Sequence, residues 1–592
     1  MQAVILAAGR GLRMRPLSNQ NHKTLIPVNG VALIDRLLHS IESVNVKRVL
    51  IVTGYDAENL EKHIREKFSH LDLEFVRNER YETTNNIVSL ALAFEHLKQE
   101  DDLLLIEADL ILDESILLKL IQNPAPDAAL LDRHQPGMDG TVVTLDGGVI
   151  TSVIPPHLQG AGFDFSDKYK TLNIYKFSAN FCKTVFADLL RYYAKTVDSS
   201  VYYELILGIL IYMKQVRIQA VLVEPKERWA ELDDPNDLRL ATWIFEPGQR
   251  LSLLEKSFGA YWNYDVIDFC FLRNMYWPTP AMHSELRRVL SNLMLNYGST
   301  QNILNEKLEL WLLCQPGRSV VLSGLSQIFP WLKQRYFGKK VLIPKPTFGE
   351  YSRIFPNAAV YEDKFDLPLE KLEKQLSGVD VCVVVSPNNP TGTEVDSKAL
   401  HTLISKNRNV TFLVDESFQG FSEKPSLVSL LDESPLENVI VLSSLSKTLG
   451  VPGLRLGYVY SCDSEMVKEV NSMLPIWNLN SIAEYLLELG LKHRTSFEAS
   501  LIQTRKDRAE FAKAIKNCRK VEKVIEGGAN FVVIKLKAEA GGAASISEYL
   551  LANYNIYIKD ISSKIGDGSA WFRIAVRLPE ENLAFIKALQ SI

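Results

Sequence analysis

Ser443-Ser-Leu-Ser-Lys-Thr-Leu-Gly-Val-Pro-Gly-Leu-Arg-Leu-Gly-Tyr458 follows the apolar run Val439 to Leu442, which reads as a buried strand. Lys447 sits there among small residues and glycines, with Ser444 and Ser446 just before it and Arg455 beyond. A lysine amine forms a Schiff base only when it is unhindered and partly deprotonated. Small neighbours supply the access, and hydroxyls plus a guanidinium suit a phosphate. Alone, the run also reads as a solvated loop with an ordinary lysine, because Ser/Gly/Lys runs are common. Two runs upstream decide between these readings.

Val381-Cys-Val-Val-Val-Ser-Pro-Asn-Asn-Pro-Thr-Gly392 is a strand ending in turn residues, and Val410-Thr-Phe-Leu-Val-Asp-Glu416 is a second strand with acids at its end. Strand ends carrying Asn, Asp and Lys in that order resemble the fold type I aminotransferases, in the branch of histidinol-phosphate aminotransferase and threonine-phosphate decarboxylase. The resemblance covers about residues 266 to 592 and implies pyridoxal 5'-phosphate (PLP) as cofactor. It assigns Asp415 to the pyridinium nitrogen, which makes the ring an electron sink, Asn389 to the ring 3-oxygen, and Lys447 to the Schiff base and to proton transfer at Cα.

Ser444, Ser446 and Arg455 would hold the cofactor phosphate with the Ser323-Gly324-Leu-Ser326 turn. Phe348, in Pro346-Thr-Phe-Gly, aligns with the aromatic that stacks on the ring, although a core phenylalanine reads the same. Tyr297 matches the tyrosine that reaches the neighbouring subunit's phosphate, which implies a homodimer, and Arg573, in Trp571-Phe-Arg-Ile, matches the arginine that binds the substrate carboxylate. Phe418 stands where many of these enzymes carry a tyrosine donating to the 3-oxygen, so the resemblance leaves the pH optimum open.

The other half opens on Gln2-Ala-Val-Ile-Leu-Ala-Ala-Gly9, a strand running into small residues, then Arg10-Gly-Leu-Arg-Met-Arg15 and Lys23-Thr-Leu-Ile-Pro27. A Gly-rich turn lets backbone N–H groups approach phosphates, and neighbouring cations neutralise them. Neither GxGxxG nor GxxxxGK[ST] is present. The run resembles the LAAGxGxR...PK signature of sugar-nucleotide and choline-phosphate nucleotidyltransferases, with a Rossmann-like α/β domain implied. Ala7, Ala8, Gly9, Gly11, Arg13 and Lys23 then bind nucleotide, with Arg13 and Lys23 stabilising phosphates, and His22 stands where that family usually has proline.

Asp101-Asp-Leu-Leu-Leu-Ile-Glu-Ala-Asp109 is a buried strand delivering acids at its C-terminal end, where open α/β sheets bind ligands. Trp229-Ala-Glu-Leu-Asp-Asp-Pro-Asn-Asp-Leu238 is a second acidic turn, in which Asp234 before Pro235 suits a helix N-cap. The same resemblance implies that Asp109 and Asp233 hold Mg²⁺, an ion served by few carboxylates plus water and phosphates. Tyr81-Glu-Thr-Thr-Asn-Asn-Ile-Val-Ser-Leu90 resembles the YxxxNNxxSL run of choline-phosphate cytidylyltransferases. That implies CTP and a small amine bearing a phosphate or phosphonate, with Asn85 and Asn86 on the acceptor side; a helix N-cap is the equal alternative for the pair.

The 592 residues hold 46% apolar and 23% charged side chains, an ordinary globular composition. Net charge of −5 gives no electrostatic footprint for nucleic acid. The six cysteines are dispersed without CxxC, which speaks against zinc and disulfides and for a reducing cytoplasm. Leu205 to Met213 is the longest uncharged apolar run near a helix, far short of the roughly 20 residues a membrane span needs. Domains are expected at 1–245 and 266–592, with 246–265 a junction whose Trp262 and tyrosines pack rather than wave in solvent.

Two complete sites in one chain suggest consecutive steps on one aminoalkyl metabolite. The architecture resembles the fused 2-aminoethylphosphonate cytidylyltransferase–transaminase proteins. That implies transamination of phosphonoacetaldehyde by an amino acid donor, and coupling of 2-aminoethylphosphonate to CTP with release of pyrophosphate. A PLP-dependent decarboxylase of a phosphorylated amino acid, joined to a phosphocholine- or phosphoethanolamine-type cytidylyltransferase, is the alternative.

Overall fold

The computed structural model describes residues 1–19, 21–160 and 162–592, in two compact units, Met1–Tyr264 and Asp265–Ile592. In the first, a nine-stranded sheet runs Asp72–Arg77, Arg48–Thr53, Gln2–Ala7, Leu103–Glu107, Tyr169–Phe177, Ala128–Arg133, Gln219–Leu222, Val149–Ile154 and Val142–Asp146. Gln2–Ala7 pairs in parallel with Arg48–Thr53 and Leu103–Glu107. A strand buried on both faces must be apolar throughout. Here Val4 and Leu6 enter one core with Ile87 and Leu90, while Ala3, Ile5 and Ala7 enter another with Leu37 and Ile41.

Asp109 follows the Leu103–Glu107 strand. A short antiparallel pair, Leu110–Leu112 with Trp229–Glu231, brings the two acidic turns together, and the Leu232 amide donates to the Asp109 carbonyl at 2.9 Å. Asp234 caps the helix Pro235–Phe245 in a reciprocal box with Asp237, as Asp before Pro predicts.

Within the junction the aromatic residues differ in burial. Helix Arg250–Ser257 buries Leu254, and Tyr264 stacks on Trp243 at 4.6 Å, but Trp262 is 82% exposed. In the short turn Tyr261–Asn263 no residue is fully buried, although the Tyr261 hydroxyl donates to the Leu254 carbonyl at 2.9 Å.

The second unit is built on a seven-stranded sheet in the order Ser319–Leu322, Gly457–Tyr460, Val439–Ser443, Thr411–Asp415, Val381–Val385, Val341–Lys345, Ala359–Glu362. Gly457–Tyr460 runs antiparallel to both neighbours and the remaining pairings are parallel. Three adjacent parallel strands therefore end side by side, delivering Asn389, Asp415 and Lys447 to one edge. A smaller antiparallel sheet, Val521–Glu526, Phe531–Leu536, Trp571–Ala575 and Lys559–Asp560, carries Arg573. Among the described residues no helix is long and apolar enough to cross a membrane.

Candidate active sites

In the first unit, Ala7 and Ala8 are buried at the strand end and a Cβ on Gly9 would meet open space. Gly11 has φ +61°, and a Cβ there would press on the Lys23 side chain at 3.0 Å, so glycine is needed for both shape and room. Lys23 Nζ lies 2.5 Å from Asp109 Oδ2 and 3.9 Å from Asp233 Oδ1. Arg13 reaches Asp233 at 2.8 Å and Asp139 at 3.5 Å. Burial works to lower the Lys23 pKa, but Asp109 and Asp233 outweigh it and the net shift is upward. Burial likewise opposes ionisation of Asp109, and Lys23 reverses it. Burial raises Asp233.

Among the described residues, Asp109 Oδ1 is buried without a hydrogen-bond partner. Carboxylate oxygens of Asp139, Glu231 and Asp233 lie within 4.8 Å of one another. The sequence reading missed two of these three. Glu231 could have been found inside the Glu-Leu-Asp turn, whereas Asp139 sits in a loop with no motif.

Asn85 caps the helix Asn86–Phe94, accepting from the Asn86 amide, and its Nδ2 donates to the Ser200 carbonyl at 3.1 Å. Asn86 donates to Glu107 at 2.9 Å and Glu204 at 3.4 Å, and accepts from the Tyr203 amide. Burial, then Glu204 and Asp109, push Glu107 well above the usual carboxylate range. Glu231 is raised by burial to about 7 despite Lys170 at 3.1 Å. An acid-rich enclosure thus adjoins Asp109, and a cation entering it would relieve the mutual repulsion.

In the second unit, Lys447 lies on the short helix Leu445–Thr448. Burial first, then Arg573 and Arg455, bring its pKa down to about 8, which leaves a useful fraction of neutral amine near pH 7. Asp415 is buried, accepting from the Tyr351 hydroxyl at 2.7 Å and the Ser417 amide at 2.9 Å; burial raises its pKa. Tyr351 was not singled out from the sequence.

Arg455 Nη2 donates to Ser326 at 3.1 Å, and a Cβ on Gly324 would sit 2.7 Å from the same nitrogen. The Ser323 amide donates to Gln327, and the Ser444 amide to the Ser417 hydroxyl. Ser446 is 1% exposed; its hydroxyl donates to the Leu456 carbonyl and accepts from the Leu456 amide, which steadies the turn bearing Arg455. Phe348 is 40% exposed beside Phe329, with ring centroids 6.4 Å apart. Phe418 is core, edge-on to Phe531. Tyr297 stands exposed, stacked on Trp477 at 4.1 Å. Arg573 Nη1 donates to Asn389 Oδ1 at 2.6 Å and Nη2 to the Cys270 carbonyl, while Nε has no partner among the described residues.

Residues 274–589 match the family model of aminotransferase class I and II, and residues 3–164 that of the MobA-like NTP transferase domain. The chain is 31% identical to CMP-5'-(3-aminopropyl)phosphonate synthase of Streptomyces rubellomurinus, over 100% of this chain and 95% of that one. L-serine phosphate decarboxylase of Sulfurospirillum multivorans is 29% identical over 55% of this chain and 88% of its own. The crystal structure of L-threonine-O-3-phosphate decarboxylase from Porphyromonas gingivalis superposes with a TM-score of 0.50 at 25% identity, covering 55% of this chain and 99% of that one.

Proposed function

The chain belongs to the class I and II aminotransferases and carries a MobA-like NTP transferase domain ahead of them, and on that basis we propose that it makes a CMP-activated aminoalkylphosphonate. The observation that carries the reading is that a relative named for such a product matches both units from end to end.

In the first unit, Gly9 and Gly11 give the nucleotide phosphates access to backbone N–H groups, and Arg13 and Lys23 neutralise them. An acceptor phosphonate oxygen attacks the α-phosphorus of CTP in line, and the bond to pyrophosphate breaks. Charge neutralisation and positioning supply the rate. Glu107 and Glu204 favour a cationic acceptor, and Asn86 holds both. The orphaned Asp109 Oδ1 and the clustered carboxylates fit a hard divalent cation, so Asp109 and Asp233 would hold Mg²⁺, joined by Glu231 or Asp139. The ion would polarise phosphoryl oxygens.

The second unit fits PLP. Gly324, Ser326 and Arg455 leave room for an anion that a Cβ would fill, and Asp415 is a buried carboxylate suited to a pyridinium nitrogen. When bound, the cofactor supplies an electron sink for bonds at Cα. Lys447 moves the proton there, Tyr351 and the Ser417 amide orient Asp415, and Asn389 is held by Arg573. Transamination of phosphonoacetaldehyde is one use of this site; decarboxylation of an amino acid bearing a phosphonate or phosphate is the other. Two relatives that match this unit are named decarboxylases, which supports the second. The exposed Tyr297–Trp477 stack supports a homodimer through this unit.

Purified protein with CTP and Mg²⁺ should release pyrophosphate with 2-aminoethylphosphonate or 3-aminopropylphosphonate. Release with phosphocholine alone would sink the proposal. For the second unit, L-alanine alone should convert the cofactor to its amine form, seen by absorbance, in a transaminase. Carbon dioxide release from a phosphonate-bearing amino acid marks the decarboxylase.

A further inference from the structure

Lys559 and Arg573 are direct partners across the antiparallel pair Lys559–Asp560 and Trp571–Ala575. Directly opposed residues project from the same face, and like charges placed so repel. A third cation joins them. The Ile561 amide donates to the Trp571 carbonyl at 2.9 Å and the Trp571 amide to Ser562 Oγ at 3.0 Å, which seats the turn Ser562–Ile565 beside the Arg573 strand.

From that turn Lys564 donates to the Thr347 carbonyl at 2.8 Å, its side chain exposed overall but its ammonium end part-buried. Thr347 in turn donates to Asn388 at 3.0 Å, next to the Asn389 that accepts from Arg573. Lys564 and Arg573 are thus tied to the two loops that carry Phe348 and Asn389. Arg573 and Lys564 both donate to neutral oxygens, and among the described residues the buried Arg573 Nε has no partner. Burial, then Arg573 and Lys559, push Lys564 down to about 8, as expected where cations crowd.

We propose that Lys564 is a specificity-determining residue: beside Arg573 it supplies the second positive charge that selects an amine substrate bearing a phosphate or phosphonate dianion over a simple amino acid. A lone guanidinium balances a carboxylate, whereas a dianion calls for two cations. The inference rests on the reading of this unit as an amine-acting PLP site.

The test uses full-length holoenzyme and two probes, O-phospho-L-serine and L-serine, titrated against the cofactor absorbance. Wild type should bind the phosphorylated probe at least tenfold more tightly. Lys564→Met should lower that preference about tenfold, and Lys564→Arg should keep it, which also controls for folding. Equal preference in wild type and Lys564→Met, or none in wild type, overturns the proposal. A holoenzyme whose absorbance answers neither probe overturns the amine-acting reading and this inference with it.

Discussion

His22 donates from Nε2 to the Ala7 carbonyl at 3.0 Å, while its Nδ1 accepts from the Thr24 amide at 3.2 Å and hydroxyl at 2.8 Å. The ring is fully buried and ties the end of the first strand to the turn that carries Lys23. Burial, then Lys23, lower its pKa to about 4, so the imidazole stays neutral through the physiological range. His22→Ala orphans buried backbone groups at about 1–3 kcal/mol and should lower kcat/KM for CTP on the order of tenfold. His22 has φ −56°, inside the range of proline, so His22→Pro should recover much of the loss through stiffness alone. Melting temperatures and steady-state CTP kinetics of the two variants decide it. Equal losses in both would defeat the bracing role.

Asn389, Asp415 and Lys447 could be singled out because each lies at or just past the end of an apolar strand, and their order along the chain, resembling the fold type I aminotransferases, supplied the roles. Asp139, Glu231 and Lys170 were not. Their meeting depends on the register of Trp229–Glu231 against Leu110–Leu112 and on a loop, and no short-range pattern encodes either. Tyr351 and Asp415 likewise join across 64 residues.

Asp109→Asn and Asp233→Asn each remove charge from the site where Lys23 and Arg13 converge. Pyrophosphate release should fall by on the order of a hundredfold or more, the scale of losing metal-borne charge stabilisation. Raising Mg²⁺ should restore part of the rate if the acids bind the ion. The cofactor absorbance of the second unit should stay as in wild type. A variant with unchanged Mg²⁺ dependence would count against metal binding there.

Gly324 has φ 78° and ψ 147°, a region open almost solely to glycine, and faces the Arg455 guanidinium. Gly324→Ala adds strain of about 1–3 kcal/mol and displaces the guanidinium from Ser326. Affinity for PLP should fall about tenfold or more, read by titrating apoprotein with the cofactor. Retained affinity would mean that the phosphate lies elsewhere.

Lys447 offers a pH signature that needs no substrate. Its amine ionises near pH 8 in the folded chain against 10.5 for an ordinary lysine, because burial and then Arg573 and Arg455 disfavour the charge. The folded state therefore binds fewer protons than the unfolded one between these values. Stability rises with pH across that window, and below pH 8 the full penalty is present. A shift of this size corresponds to about 3 kcal/mol. Apoprotein carrying Lys447→Met should be the more stable form at pH 7, by a margin of that order, and the margin should shrink toward pH 10.5. Cofactor capture by wild-type apoprotein should accelerate through pH 8 as the amine becomes neutral. Arg573→Met removes a neighbouring cation and should move that midpoint upward. Urea melts across the pH range, with stopped-flow absorbance for capture, measure both. A midpoint near 10.5, or one that Arg573→Met leaves in place, would show that the surroundings do not tune this amine.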